Sequence, residues 1–107
     1  MSTKNLYDSD FIRDQFRHLF DLTPEQEIEE RAEMLSFLFL SEVEKRMEER
    51  KWTRKKLAEE IGTSSSYLIQ LFRGDRLLNF KTIAKIEKAL DLVFEVNGKP
   101  KARGTRN

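Results

Sequence analysis

Apolar side chains recur every three or four residues through most of the chain, which is the spacing of amphipathic helices. The first set, near the N-terminus, consists of Phe11, Ile12, Phe16, Leu19 and Phe20. Asp10 directly precedes this set and is a suitable helix-start residue. We therefore expect a short amphipathic helix there.

The next segment carries a complete helix-start signal. Thr23 is the expected cap, Pro24 suits the first helical position, and Gln26 is placed to close a capping box. No helix-breaking residue follows before Trp52, so a helix of roughly 25 residues is predicted. Its periodic apolar positions are Ile28, Ala32, Leu35, Phe39, Val43 and Met47.

The middle of that long helix, residues 34–40, is apolar nearly all round. Such a segment must be buried on more than one side. Three partners remain open: the chain's own N-terminal helix, the core of the domain that follows, and a second subunit.

Residues 53–74 contain two short helical patterns separated by a glycine. Thr53 and Ser64 are placed to cap the two helices, while Gly62 and Gly74 suit their left-handed ends. The apolar positions that would face each other are Leu57, Ala58, Ile61, Leu68 and Leu71. Two capped helices with facing apolar sides predict a helix-turn-helix.

The second helix of this motif has a polar outer side. Its outward positions are Ser65, Ser66, Tyr67, Ile69, Gln70 and Arg73. Such side chains can meet base edges and phosphates in a major groove, so the motif indicates double-stranded DNA as the partner.

Three cations crowd the first turn of the first motif helix, namely Arg54, Lys55 and Lys56. The helix macrodipole disfavours cations there by about 0.3 to 1 kcal/mol each. A helix end with exposed amides and added cations suits an anion, and a DNA phosphate is the natural one. The alternative is that these side chains are ordinary solvated charges.

Residues 52–90 resemble the helix-turn-helix of the Cro/cI repressor superfamily, also called the Xre family. The resemblance rests on residues 53–74 and continues through Asn-Phe-Lys-Thr-Ile-Ala-Lys-Ile-Glu-Lys-Ala-Leu at 79–90. It implies an all-α, five-helix domain whose first helix lies around residues 38–49. We accordingly expect an N-terminal helical extension before this domain and a short β-strand after it.

The resemblance also implies phosphate contacts. In this family the residue after the cap of the first motif helix contacts phosphate, and that residue corresponds to Arg54. The side chains assigned to phosphate are Thr53, Arg54, Lys55, Ser64, Arg73, Arg76 and Lys81.

The base readers implied by the resemblance correspond to Ser65, Ser66 and Gln70. Two departures from the family pattern matter. Phe72 stands where the family often has an acidic residue, and the two serines are shorter than the usual readers. Sequence preference is therefore expected to be modest, unless Tyr67 supplies part of the base contact.

Beyond the last helix the apolar period changes to two. Leu92, Phe94 and Val96 would share one side of a strand at residues 92–98. A lone strand has unpaired amides, and the same strand from a second copy is the simplest partner. The sequence thus predicts a homodimer, followed by a basic, disordered tail at residues 99–107.

Composition limits the remaining possibilities. A chain of 107 residues with 38% hydrophobic content suffices for one modest core and an appendage. The absence of cysteine excludes disulfides and thiolate metal sites. His18 is the only histidine, and no glycine-rich phosphate loop is present, so we expect neither an enzyme nor a metal or other cofactor. The apolar stretches are too short for a membrane span, which favours a cytoplasmic, nucleoid-associated protein.

The net charge of +1 conceals a division of charge along the chain. Residues 1–40 carry four Lys/Arg against nine Asp/Glu, a net charge of −5, whereas the rest carries sixteen against ten, a net charge of +6. This supports an acidic extension at 1–35 that is separate from a basic DNA-binding domain at 36–91.

Two functional classes follow. One is a repressor-type transcriptional regulator that reads an inverted-repeat operator. The alternative is an antitoxin of a type II toxin-antitoxin pair, because HigA-type antitoxins share this domain. Such a protein would neutralise a toxin partner and regulate its own operon.

Overall fold

Residues 22–102 are described by the computed structural model, and α-helices are the only regular secondary structure in this range. The helices are α1 (Pro24–Arg50), α2 (Arg54–Ile61), α3 (Ser65–Arg73) and α4 (Phe80–Leu90). The predicted N-terminal helix, with His18, lies outside the described residues, as do residues 103–107 of the tail. None of the four described helices combines the length and the apolar composition that would be needed to cross a membrane.

The predicted start and length of the long helix are confirmed. Thr23 Oγ1 accepts a hydrogen bond from the Gln26 backbone N–H at 3.1 Å, and Gln26 Oε1 accepts one from the Thr23 N–H at 2.8 Å. This reciprocal pair is the capping box, with Pro24 at the first helical position. The resulting helix has 27 residues and runs without interruption through the predicted domain boundary after residue 35.

The caps predicted for the helix-turn-helix are also confirmed. Thr53 Oγ1 accepts the Lys56 N–H at 3.0 Å, and Ser64 Oγ accepts the Tyr67 N–H at 3.1 Å. The glycines after α2 and α3 have φ values of 74° and 87°, which a residue with a Cβ adopts only at a cost.

One hydrophobic core joins the four helices. Helix α2 packs on α3 and α4, and α4 also packs on α1. The core side chains are Leu40, Val43, Met47, Leu57, Ala58, Ile61, Leu68, Leu71, Ile86 and Leu90. All the inward positions predicted for the motif are buried.

Helix α1 uses a slightly different face from the one its periodicity predicted. Its buried residues are Ser36, Leu40, Val43 and Met47, whereas Ile28 and Leu35 are 70% and 43% exposed. The only buried polar side chain on α1 has a clear role, because Ser36 Oγ accepts the Leu78 N–H at 3.1 Å. That bond ties α1 to the segment that leads into α4.

Two arginines of α1 hold the end of α4. Arg46 Nε donates to the Leu90 carbonyl oxygen at 2.9 Å, and Arg50 Nη1 donates to the same oxygen at 3.1 Å. Cations at a helix C-terminus satisfy carbonyl groups that the helix cannot satisfy itself.

The predicted five-helix count is wrong. Between residues 36 and 91 the domain consists of the C-terminal half of α1 followed by α2, α3 and α4. The helix expected around residues 38–49 is present as the C-terminal half of α1, whereas no fifth helix follows α4, since residues 92–102 have no regular secondary structure.

The predicted strand at 92–98 is also wrong, since residues 92–102 have no regular secondary structure. The described chain offers no neighbouring strand, and Glu87 of α4 provides the hydrogen bonds instead. Its backbone oxygen accepts the Leu92 N–H at 3.0 Å, and its Oε2 accepts the Phe94 N–H at 2.8 Å. The Phe94 ring packs edge-on against Phe39, with 4.9 Å between ring centroids. Two of the three predicted dimer contacts, Leu92 and Phe94, thus pack on the chain's own core, while Val96 is 89% exposed.

Candidate nucleic-acid interface

Helix α3 has a buried apolar side and an exposed, mainly polar side. Leu68 and Leu71 are buried, while Ile69 on the opposite side is 41% exposed. The exposed polar positions of the helix are Ser65, Ser66 and Arg73. Because the inner positions are three residues apart, packing against the core directs the others to solvent. The helix can therefore enter a groove without disturbing the core.

The two remaining predicted base readers, Tyr67 and Gln70, are half-buried on α3. The Tyr67 hydroxyl lies 3.2 Å from Thr82 Oγ1, so it shares a hydrogen bond with α4. Sequence reasoning missed this partner, which lies on another helix. The predicted base contact of Tyr67 stays a prediction, and it would require this hydroxyl to exchange or share its partner.

The helix starts differ in charge. Helix α1 has Glu25 and Glu27 in its first turn, as an ordinary solvated helix start would. None of α2, α3 and α4 has an acidic residue there. Exposed cations lie in two of these turns instead, including Lys55 in α2 and Lys81 in α4. This difference favours anion binding at the starts of the three short helices.

Arg54, the first residue of α2, is held by two neighbours. Its Nη2 donates to Glu44 Oε2 at 3.1 Å, and its guanidinium carbon lies 4.3 Å from the centre of the Phe72 ring. The residue that departs from the family pattern, Phe72, thus supplies a stacking surface for Arg54. The role of Glu44 had no signal in the sequence, because this residue lies on α1, across the turn from α2.

Two other predicted phosphate contacts make loose pairs at the surface. Arg73 Nε lies 3.4 Å from Asp75 Oδ2, and the Arg76 guanidinium lies 5.6 Å from the centre of the Tyr67 ring. Exposed pairs of this kind contribute little energy, so both arginines can turn towards a phosphate at small cost.

Lys56 differs from its neighbours in α2. Its Nζ lies 2.9 Å from Glu60 Oε2, and this hydrogen bond, together with the charge of Glu60, raises the pKa of Lys56. The same ammonium lies 5.5 Å from the centre of the Trp52 ring. Lys56 is therefore engaged within its own helix, whereas Lys55 is exposed.

The cap residues Thr53 and Ser64 keep their capacity to meet phosphate. Each hydroxyl oxygen accepts a backbone N–H, and its own O–H proton stays available to donate. Both hydroxyls lie at helix starts and both residues are exposed. A phosphate oxygen can accept these protons without any loss of the caps.

Comparison with known proteins agrees with this geometry. Residues 43–93 match the family model described as "Helix-turn-helix". No curated protein and no solved structure gives a significant match. The matched segment begins on α1, contains α2, α3 and α4, and ends beside Phe94. The match covers slightly less than half of the chain, and it agrees with the helix-turn-helix arrangement of α2 and α3.

Proposed function

We propose that this protein is a sequence-specific, non-enzymatic transcriptional regulator of the repressor type that acts on DNA in the cytoplasm. The observation that carries the proposal is the two-sided character of α3, which buries Leu68 and Leu71 and exposes polar residues. In helix-turn-helix proteins the second helix lies in the major groove, where each base pair has a distinct pattern of donors and acceptors.

Base reading is assigned to Gln70, with Ser65 and Ser66 beside it. A glutamine amide offers one donor and one acceptor, which together match N7 and N6 of adenine. Serine hydroxyls can donate or accept and therefore discriminate less between bases. The proposed order of importance is Gln70 first and the serines second.

Phosphate binding is assigned to the starts of the short helices and to the end of α3. Arg54 would exchange Glu44 for a phosphate while it remains stacked on Phe72. This exchange costs little, because the Arg54 and Glu44 side chains are 45% and 50% exposed and their pair is screened by solvent. Arg73, at the end of α3, has a similarly exposed partner in Asp75.

A salt titration tests the phosphate assignment. Arg73→Ala is expected to weaken binding to every duplex and to lower the slope of log K against log salt by about one unit. Arg31→Ala, on the acidic half of α1, is the matched control and should leave the slope unchanged. Both variants would be titrated by fluorescence anisotropy on a mixed-sequence duplex. Equal slopes for Arg73→Ala and the wild type would contradict the assignment.

We also propose that the working unit is a homodimer on an inverted repeat. One recognition helix covers only a few base pairs, so two half-sites about 10 base pairs apart are needed for useful affinity. Residues 92–95 alternate between half-buried and exposed, and the N–H groups of Leu92 and Phe94 are used by Glu87. In an extended segment the N–H groups of Val93 and Glu95 point the opposite way, towards a second copy.

Sedimentation equilibrium tests the dimer. The wild type is expected to sediment as a dimer at micromolar concentration, and Val96→Asp as a monomer, because a charge would enter the paired segment. Val96 is a better target than Phe94, because its side chain is 89% exposed and takes no part in the core. A wild-type monomer that binds one operator tightly would contradict the proposal.

The antitoxin is a second candidate function. The observation that favours it is a set of exposed apolar residues on α1, namely Met34, Phe37 and Leu38. They follow an acidic stretch of the same helix, so this surface would suit a toxin that is basic and partly apolar. The N-terminal segment distinguishes the two candidates. If it packs on the chain's own domain, the regulator is favoured; if it stays mobile until a partner binds, the antitoxin is favoured.

A further inference from the structure

An apolar groove lies between α1 and the segment that leads into α4. We name it the α1–α4 groove, and its larger apolar lining residues are Leu35, Phe39, Leu77, Leu78, Phe80 and Ile83. Its volume is about 230 Å³. The polar side chain in its lining, Ser36, already accepts the Leu78 N–H. The groove therefore suits apolar side chains rather than a polar ligand.

The rim of the groove is unusually exposed. Phe80 is 84% exposed, Leu35 is 43% exposed and Leu77 is 40% exposed. Ile28 lies two helical turns before Leu35 on the same side of α1 and is 70% exposed. This arrangement continues the apolar surface from the groove towards the start of α1. A contiguous apolar surface of this kind is typical of a place where another element docks.

We propose that residues 10–20 of this same chain dock in the α1–α4 groove as a helix that runs antiparallel to α1. The proposal does not depend on DNA binding, since none of the residues that line the groove belongs to α3. It adds a fifth element to the described fold.

The length of chain fits this arrangement. Leu35 lies eleven residues after Pro24, which places it about 16 Å along the axis of α1. A ten-residue helix is about 15 Å long, and helices joined by two to five residues readily form an antiparallel hairpin. A helix at residues 11–20 that turned back before Thr23 would therefore place Phe11 level with Leu35.

The side-chain pattern of the segment also fits. Ile12, Phe16 and Leu19 have the spacing i, i+4, i+7, which gives a helix one continuous apolar stripe. Arg13 and Arg17 are one turn apart and would border that stripe. The first half of α1 is rich in glutamate, so a helix with two arginines at its border complements its charge.

A second copy of the chain is a weaker candidate for the groove. Two copies of α1 would bring their acidic halves into the same region, with like charges close together. The chain's own segment is tethered within a few residues of α1, and a short tether gives an effective concentration in the millimolar range. At micromolar protein concentration the tethered segment has the advantage.

A thiol-protection experiment tests the proposal. The chain has no cysteine, so a single introduced thiol is the only reactive one. Leu35→Cys and Met34→Cys form a matched pair, because the two residues are adjacent and 43% and 48% exposed, yet only Leu35 lines the groove. Both are made in the full chain, and the rate of reaction with an aromatic disulfide reagent is measured.

Leu35→Cys is expected to react at least about tenfold more slowly than Met34→Cys, because reagent reaches it only when the docked segment opens. The ratio of these two reaction rates should not change with protein concentration. Adding Phe16→Asp to the Leu35→Cys chain should raise the reaction rate of the Leu35→Cys thiol to that of Met34→Cys. Far-UV circular dichroism then serves to confirm that the domain remains folded.

Three outcomes would overturn the proposal. Equal rates for the two thiols would show an open groove. Protection that disappears on dilution would assign the groove to a second copy. Protection that survives Phe16→Asp would assign it to another element.

Discussion

Leu68→Ala is expected to lower the free energy of unfolding by about 2 to 5 kcal/mol, the largest change predicted for a single substitution here. Leu68 is fully buried at the centre of α3, where it joins the core shared with α2. The substitution removes apolar contacts and leaves a cavity that short, capped helices can close only in part. A domain of this size has few other core residues to compensate.

The adjacent residue is a matched control. Ile69 lies on the same helix and is 41% exposed, so Ile69→Ala should change stability by no more than about 0.5 kcal/mol. Urea unfolding followed by far-UV circular dichroism measures both variants. Equal destabilisation by the two substitutions would contradict the assignment of the inner and outer sides of α3.

The helix-turn-helix could be predicted in detail because its signals are local. A cap hydroxyl such as that of Thr53 or Ser64 bonds to an amide three residues later, so neighbouring residues decide its geometry. The left-handed φ of Gly62 and Gly74 likewise depends on the residue itself. Family resemblance added roles for these positions without changing their conformation.

The orientation of α1 could not be predicted as well. Residues 34–40 are apolar nearly all round, so periodicity alone does not distinguish a face that contains Leu35 from one that contains Leu40. The structure decides through a tertiary contact, the hydrogen bond from the Leu78 N–H to Ser36. A serine in an apolar stretch was a weak sign that one side chain there had a polar partner.

The C-terminal segment shows why alternation alone is ambiguous. Leu92 and Phe94 do share one side, as their spacing of two predicted, yet that side packs on the chain's own core. The same spacing suits a strand in a sheet and an extended segment beside a helix. Here the segment lies beside α4, because Glu87 accepts the N–H groups of Leu92 and Phe94. No sequence pattern links Glu87 to these two residues.

The candidate nucleic-acid interface could likewise be predicted only in part. The exposure of Ser65, Ser66 and Arg73 follows from the helical period and was predictable. The neighbours of the cations were not, because Glu44 reaches Arg54 only after α1 and α2 pack together. The phosphate assignments therefore rest on position along the helices, and their present partners are surface residues.

Gln70→Ala is expected to lose about 1 to 3 kcal/mol of specific DNA binding, which corresponds to roughly 5- to 150-fold in affinity. Gln70 carries the only side-chain amide of α3, and alanine removes both its donor and its acceptor. Affinity for a scrambled duplex should hardly change, because phosphate contacts supply nearly all of the nonspecific binding.

The measurement compares one operator, selected by the wild-type protein from a random duplex library, with its scrambled sequence. Alanine favours helix and Gln70 is only half-buried, so the folded population should be unaffected and thermal unfolding serves as the control. A base reader loses affinity for the operator alone, whereas a residue that only supports α3 weakens both duplexes equally. Equal weakening would therefore remove Gln70 from the base-reading set and leave Ser65, Ser66 and Tyr67 as the remaining predicted side chains that could give this domain its sequence preference.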